Sequence, residues 1–171
     1  TYTLPSQVER LTLTGEGTIN GTGNTLNNTI TGNTKANSLT GGDGNDRLFG
    51  AAGDDRLTGA QGDDWLFGGP GADVLDGGAG RDTLVFAFDP TGRRDTVVGF
   101  DARLDRIAID AASFGLSAST QAAGGADLPA RVVFDRTDSA LWLLWANGER
   151  VALAQLTGVN LVGAELDILW T

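Results

Sequence analysis

Residues 41–85 are five consecutive nonapeptides with no insertion or deletion between them: GGDGNDRLF, GAAGDDRLT, GAQGDDWLF, GGPGADVLD and GGAGRDTLV. A fixed period of this kind decides the architecture before any other reading of the chain. Four columns never vary. Glycine holds the first (Gly41, Gly50, Gly59, Gly68, Gly77) and the fourth (Gly44, Gly53, Gly62, Gly71, Gly80). Aspartate holds the sixth (Asp46, Asp55, Asp64, Asp73, Asp82) and leucine the eighth (Leu48, Leu57, Leu66, Leu75, Leu84). The beat runs backward in weaker form, with Leu39 and Ile30 in the apolar column and Asn37 and Asn28 in place of its aspartates. Further upstream, Leu11-Thr12-Leu13-Thr14-Gly15 and Thr18-Ile19-Asn20-Gly21 follow a similar grammar with slipped spacing, as an amino-terminal cap would.

The pattern G-G-x-G-x-D-x-U-x, with U a large apolar residue, resembles the nonapeptide of the repeats-in-toxin (RTX) family, over residues 28–85. The resemblance implies an all-β fold, a right-handed parallel β-roll: a two-sided solenoid with Ca2+ in its turns. The expected divisions are a cap with degenerate repeats over 1–27, the nonapeptide roll over 28–85, and a carboxy-terminal capping region with a secretion signal over 86–171.

Each copy divides into a six-residue turn and a three-residue x-Leu-x strand whose central side chain points inward. A backbone that reverses in six residues visits positive φ, which glycine does at little steric cost. With two copies per coil, copies two apart stack, placing Asp46 over Asp64, Asp55 over Asp73 and Asp64 over Asp82. Stacked strands lie about 4.8 Å apart. Calcium with oxygens at about 2.3–2.6 Å on either side spans that gap. The candidate ligands are Asp46, Asp55, Asp64, Asp73 and Asp82, with backbone carbonyls left open at Gly44, Gly53, Gly62, Gly71 and Gly80. Asn28 and Asn37 are weaker candidates, since stacked asparagines also serve a purely structural role. One ion per stacked pair gives about three to five ions. Metal-free stacking would instead set like charges at strand spacing, which is destabilising.

The chain has no cysteine and no histidine, so thiolate and imidazole metal sites are excluded and the commonest general base is missing. It also lacks H-E-x-x-H and G-x-S-x-G, and no Ser-His-Asp set can be assembled. No catalytic role is expected of this chain. Related RTX modules end secreted metalloproteases, lipases and alginate epimerases, so a parent enzyme is one alternative. A formal charge of -10 disfavours nucleic acid and anionic lipid and favours cations as partners. No run approaches the roughly 20 apolar residues of a spanning helix. The opening Thr1-Tyr2-Thr3 leads us to expect a fragment or processed product.

Without the ion, a Gly- and Asp-rich segment has too little apolar surface to offset chain entropy; with it, binding free energy becomes folding free energy. Extracellular calcium modules work at about 10⁻⁴ to 10⁻³ M, which predicts a chain unfolded inside a cell and folded outside it. After Val85, residues 95–109 resemble the segment that follows the last repeat in this family, with Asp95 either a further ligand or a solvated turn residue. Residues 110–130 are read as loop with a helical turn. Arg131–Phe134, Leu141–Trp145 and Val151–Leu153, the last two joined through Asn147-Gly148, predict a small antiparallel sheet capping the open end. Trp142 and Trp145 belong to that core or to an outward glycan- or lipid-binding patch, the adhesin alternative. The tail Glu165–Thr171 is similar to the termini of RTX proteins exported by type I secretion systems. A secreted monomer, partnered by calcium and that apparatus, is the expectation.

Overall fold

A computed structural model describes residues 1–89, 92–110, 112–114, 129–135, 139–145, 150–157 and 167–170. Among these lie sixteen strands, β1–β16 in chain order, in two sheets. One sheet runs β1 (Tyr2–Thr3), β3 (Gly21–Thr22), β5 (Ser38–Asp43), β7 (Arg56–Gln61), β9 (Val74–Ala79), β11 (Asp95–Val98), β15 (Arg150–Thr157), β14 (Ala140–Trp145), β13 (Pro129–Asp135). The other runs β2 (Arg10–Thr12), β4 (Thr29–Thr31), β6 (Arg47–Phe49), β8 (Trp65–Phe67), β10 (Thr83–Phe86), β12 (Arg106–Ile109), β16 (Asp167–Trp170). Successive strands alternate between sheets and pair in parallel with the strand one coil away, which is a parallel β-roll.

Nine residues carry the chain from one sheet to the other, so eighteen complete a coil. Leu39, Leu57 and Leu75 are therefore in register on one side, and Ile30, Leu48, Leu66 and Leu84 on the other. All seven are at most 1% exposed. Their flanking residues point away from this column because side chains alternate along a strand, and all but Val85 are half-buried or exposed. In β4–β9 the core is thus one aliphatic side chain per strand, thin for the backbone it orders; β10 and β12 bury more, with Val85, Phe86, Ala108 and Ile109 added.

The strands of the two sheets differ in length. β6 and β8 are three residues long, as the x-Leu-x grammar predicts, whereas β5, β7 and β9 run to six. Pairing there continues into the turn through Gly42↔Ala60↔Gly78. The second turn position sits at positive φ in every acidic copy: Gly42 (120°), Ala51 (81°), Ala60 (92°), Gly69 (99°) and Gly78 (98°). Two of these are alanines, held in a conformation that costs an L-residue about 1–2 kcal/mol. Glycine relieves this and gives back about 0.4–1 kcal/mol through a freer unfolded chain. Ala60→Gly is therefore expected to stabilise the folded form by about 0.5–1 kcal/mol. A thermal melt in saturating calcium checks it, and a lowered midpoint would show that the alanine is unstrained.

The coil does not stop where the nonapeptides do. β11 pairs with β9 through Leu75↔Val97, and β12 with β10 through Leu84↔Ile107, extending the buried columns two strands further. β15 and β16 then add in parallel on β11 and β12. Among the described residues β13 pairs antiparallel with β14 and β14 with β15, and these strands end the first sheet, joined to the coil through β15. Asn147-Gly148 and most of 110–130 lie outside the described residues.

Candidate metal centre

The sixth-position side chains form two files, one along each edge of the roll. In one, the backbone N–H groups of Asn28, Asp46, Asp64 and Asp82 donate to Oδ1 of Asp46, Asp64, Asp82 and Asp105 at 2.6, 2.7, 2.9 and 3.1 Å. In the other, those of Asn37, Asp55 and Asp73 donate to Oδ1 of Asp55, Asp73 and Asp95 at 2.7, 2.8 and 3.0 Å. Each carboxylate thus clips its own turn to the one below. A parallel ladder stands beside it at the fifth position, where the N–H groups of Asn45, Asp63 and Arg81 donate to Oδ1 of Asn27, Asn45 and Asp63.

The second carboxylate oxygen has no such partner. Oδ2 of Asp46, Asp55, Asp64, Asp73 and Asp82 is buried and accepts no hydrogen bond. The residues themselves are only 1–2% exposed. The first glycine of each copy leaves room for this oxygen: a methyl group on Gly41, Gly50, Gly59, Gly68 or Gly77 would overlap Oδ2 of its own copy's aspartate. At Gly41, Gly50 and Gly59 the same point is bordered by the carbonyl oxygen of Gly59, Gly68 or Gly77 one coil on. Unpartnered carboxylate oxygens therefore stand beside carbonyl oxygens in dry surroundings. Their turns lie between coils, and five in-register orphaned anionic oxygens fit a hard, oxygen-preferring dication. Among the described residues no three carboxylates converge on one point, so a bound ion would draw on backbone oxygens as well.

Burial dominates the electrostatics. Desolvation pushes the carboxyls of Asp46, Asp55 and Asp82 up to about 6 and those of Asp64 and Asp73 up to about 7; the stacked N–H opposes this and neighbouring carboxylates add to it. Asp95, buried at 9% exposure, is pushed up to about 8 for the same reason, and Asp105 is raised as well. A raised carboxyl pKa means that the metal-free fold holds protons that the unfolded chain, titrating near 3.9, has already released. Metal-free stability is therefore fullest below about pH 4 and falls as the pH climbs through the 6–8 window. Cation binding runs the opposite way, because protons compete for the same oxygens. The midpoint of a calcium titration is expected to drop at least about tenfold between pH 5.5 and 7.5. A midpoint indifferent to pH would contradict the burial of these groups.

The structure thus brings Asp46, Asp55, Asp64, Asp73 and Asp82 together in two files. The fourth-position glycines Gly44, Gly53 and Gly62 turn their carbonyls toward the next coil, against Gly62, Gly71 and Gly80. Asn28 and Asn37 lie in the same files, but their side-chain oxygens are engaged, by the N–H groups of Asn24 and Asn33. Asp95 proves buried in the column, and Asp105 is a member the sequence reading missed. Its signal was an aspartate directly before an apolar strand, as in every copy. Trp142 is half-buried with the Arg94 guanidinium 5.2 Å from its ring centroid; the side chain of Trp145 lies outside the described residues.

Residues 22–57 and 49–84 match the family model of the RTX calcium-binding nonapeptide repeat, in 4 copies. No curated protein matches the chain. Similar solved structures include the AlgE6R3 subunit of the Azotobacter vinelandii mannuronan C5-epimerase. It is 28% identical with a TM-score of 0.34, over 84% of this chain and 78% of that one. Another is the extracellular lipase LipA of Serratia marcescens, 14% identical with a TM-score of 0.46 over 92% of this chain. The match spans only 41% of the lipase.

Proposed function

Because residues 22–84 are RTX calcium-binding nonapeptide repeats, wound here into a parallel β-roll, we propose that the chain is a calcium-gated folding module of a larger exported protein. The observation that carries the reading is the set of five buried, donorless Oδ2 oxygens repeated in register along both edges. Asp46, Asp55, Asp64, Asp73 and Asp82 hold the ions, with Asp95 and Asp105 closing the two files. Calcium, when bound, supplies the positive charge that these oxygens lack. The carboxylates supply the rest: Oδ1 fixes the stacking of coils, and Oδ2 of the five nonapeptide aspartates would be left to take the ion.

With a core one side chain thick through β4–β9, the roll depends on that charge to offset chain entropy. In cytosol the segment stays open and self-repelling, in a form suited to type I export; outside, millimolar calcium closes it. The carboxy-terminal strand β16 pairs in parallel with β12, next to Asp105, so the exported tail belongs to the same sheet as the roll. Circular dichroism of the chain at pH 7.5 tests the gate. In chelator the spectrum is expected to be that of a disordered chain, with strand signal gained on adding calcium to about 1–10 mM. A folded spectrum indifferent to calcium would sink the proposal.

A further inference from the structure

The two turns that precede the acidic ones, residues 23–28 and 32–37, make the same stacking hydrogen bonds but carry asparagine at the sixth position. We infer that in these turns the side-chain amides of Asn24, Asn28, Asn33 and Asn37 stand where an acidic turn takes a cation, so that this end of the roll is closed by the protein itself and binds no ion. The inference rests on the calcium reading of the acidic turns.

The carbonyl oxygens give the first argument. In the acidic turns, those of the second and fourth positions face the following coil: Ala51 and Gly53 lie against Gly69 and Gly71, and Ala60 and Gly62 against Gly78 and Gly80. One coil below Asn33 the same two positions are Gly15 and Gly17. Their carbonyl oxygens accept hydrogen bonds from Asn33 Nδ2, at 3.0 and 2.8 Å. Asn37 Nδ2 donates to the Ile19 carbonyl at 2.7 Å and to Asn33 Oδ1 at 3.1 Å. The other turn repeats the arrangement: Asn24 Nδ2 donates to the carbonyls of Pro5 and Val8 at 2.6 and 2.7 Å, and Asn28 Nδ2 to Val8 and to Asn24 Oδ1. An amide NH2 group is an electropositive centre with two donors, and here inter-coil carbonyls converge on it.

The column oxygen gives the second. Asn28 Oδ1 accepts the Asn24 N–H at 2.7 Å and Asn37 Oδ1 the Asn33 N–H at 2.8 Å. In all five acidic turns the second position lies at positive φ, Asn24 and Asn33 do not, and Oδ2 has no donor. Among the nonapeptide turns the backbone thus reaches the column oxygen only where the side chain is neutral; beyond them, the Asp101 N–H reaches Asp105 Oδ2 at 2.8 Å. In the asparagine turns no excess negative charge is left for an ion to balance.

Ions are then confined to stacked carboxylate pairs: Asp46/Asp64, Asp64/Asp82, Asp82/Asp105, Asp55/Asp73 and Asp73/Asp95, five in all. The pairs Asn28/Asp46 and Asn37/Asp55 keep inter-coil carbonyls, as Asn24 does against Gly42, but bring one carboxylate each instead of two and take none. Native mass spectrometry of the full chain in excess calcium counts them. The expected result is no more than five ions, with the same number in Asn33→Ala and Asn37→Ala. Six or seven ions in the unaltered chain, or an ion lost in either asparagine variant, would overturn the inference. Should the variants fail to fold, the unaltered chain still decides, because filled asparagine turns would raise its count above five. No bound calcium at all would defeat the calcium reading as well, whereas a count above five defeats the amide inference alone.

Discussion

Asp64→Asn is expected to weaken the calcium-loaded fold and leave the calcium-free chain no worse off. Asp64 is shared by two stacked pairs: its N–H reaches Asp82 Oδ1 and its own Oδ1 takes the Asp46 N–H. The amide keeps the oxygen that accepts the Asp46 N–H but replaces Oδ2 with a donor, so both ion places lose a carboxylate oxygen. At calcium concentrations roughly 10–100 times Kd each bound ion stabilises by about 1.4–2.7 kcal/mol, so losing two costs about 3–5 kcal/mol. Asp46→Asn is expected to cost about half as much, because its other partner is Asn28, which contributes no carboxylate. In chelator no fold is left to lose, and removing a charge that burial makes unfavourable costs the chain nothing further. Denaturant titrations of the three proteins in saturating calcium measure this, with circular dichroism in chelator as the reference. An Asp64→Asn loss no larger than that of Asp46→Asn would mean that Asp64 is not shared by two ions.

The period-nine spacing was enough to place the leucine column inside and the aspartate column in the turns, because spacing by itself fixes which residues stack. It lost the thread where the spacing changes. The stacking step is 18 residues between Asp46 and Asp64 but 22 from Asp73 to Asp95 and 23 from Asp82 to Asp105. The extra four and five residues break the count without breaking the pairing, so Asp105 went unread and Asp95 was left between two roles. At the other end the slip is a single residue, with Arg10 opposite Thr29, and Gly21 occupies an apolar position. A methyl group there would press on the side chains of Leu11, Ile30 and Leu39, so the neighbours already fill the space.

Within the site, spacing could say which carboxylates superpose and not how their oxygens divide. The expectation that two stacked aspartates meet across a shared gap is refined by the hydrogen bonds: one oxygen of each is spent on the coil below and one is left over. That division depends on backbone direction at the second turn position, which no residue count reports. The asparagine turns do carry a readable mark. Asparagine stands at both the second and the sixth positions in two consecutive copies, Asn24 with Asn28 and Asn33 with Asn37, where the acidic copies have Gly or Ala and Asp.

Gly71→Ala is expected to break the roll even in saturating calcium. Two penalties coincide there and they can be separated. The first is conformational: φ is +149°, in a region that costs an L-residue about 1–2 kcal/mol. The chain tolerates that much elsewhere, since Ala51 and Ala60 sit at positive φ. The second is steric: a methyl group on Gly71 would fall on the carbonyl oxygen of Gly53, one coil below, and that neighbour is backbone and cannot rotate aside. Relief requires the coils to part, which pulls Asp73 from Asp55 and the Leu75 strand from that of Leu57. The combined loss should reach at least about 3 kcal/mol. Gly99→Ala is the control, with φ of +70° and its nearest outside atom an Asp76 carboxylate oxygen at 3.7 Å. It pays the conformational cost alone, about 1 kcal/mol. Thermal melts in 10 mM calcium distinguish the two, because a Gly71 variant no weaker than the Gly99 variant would mean that the coils do not stack this closely.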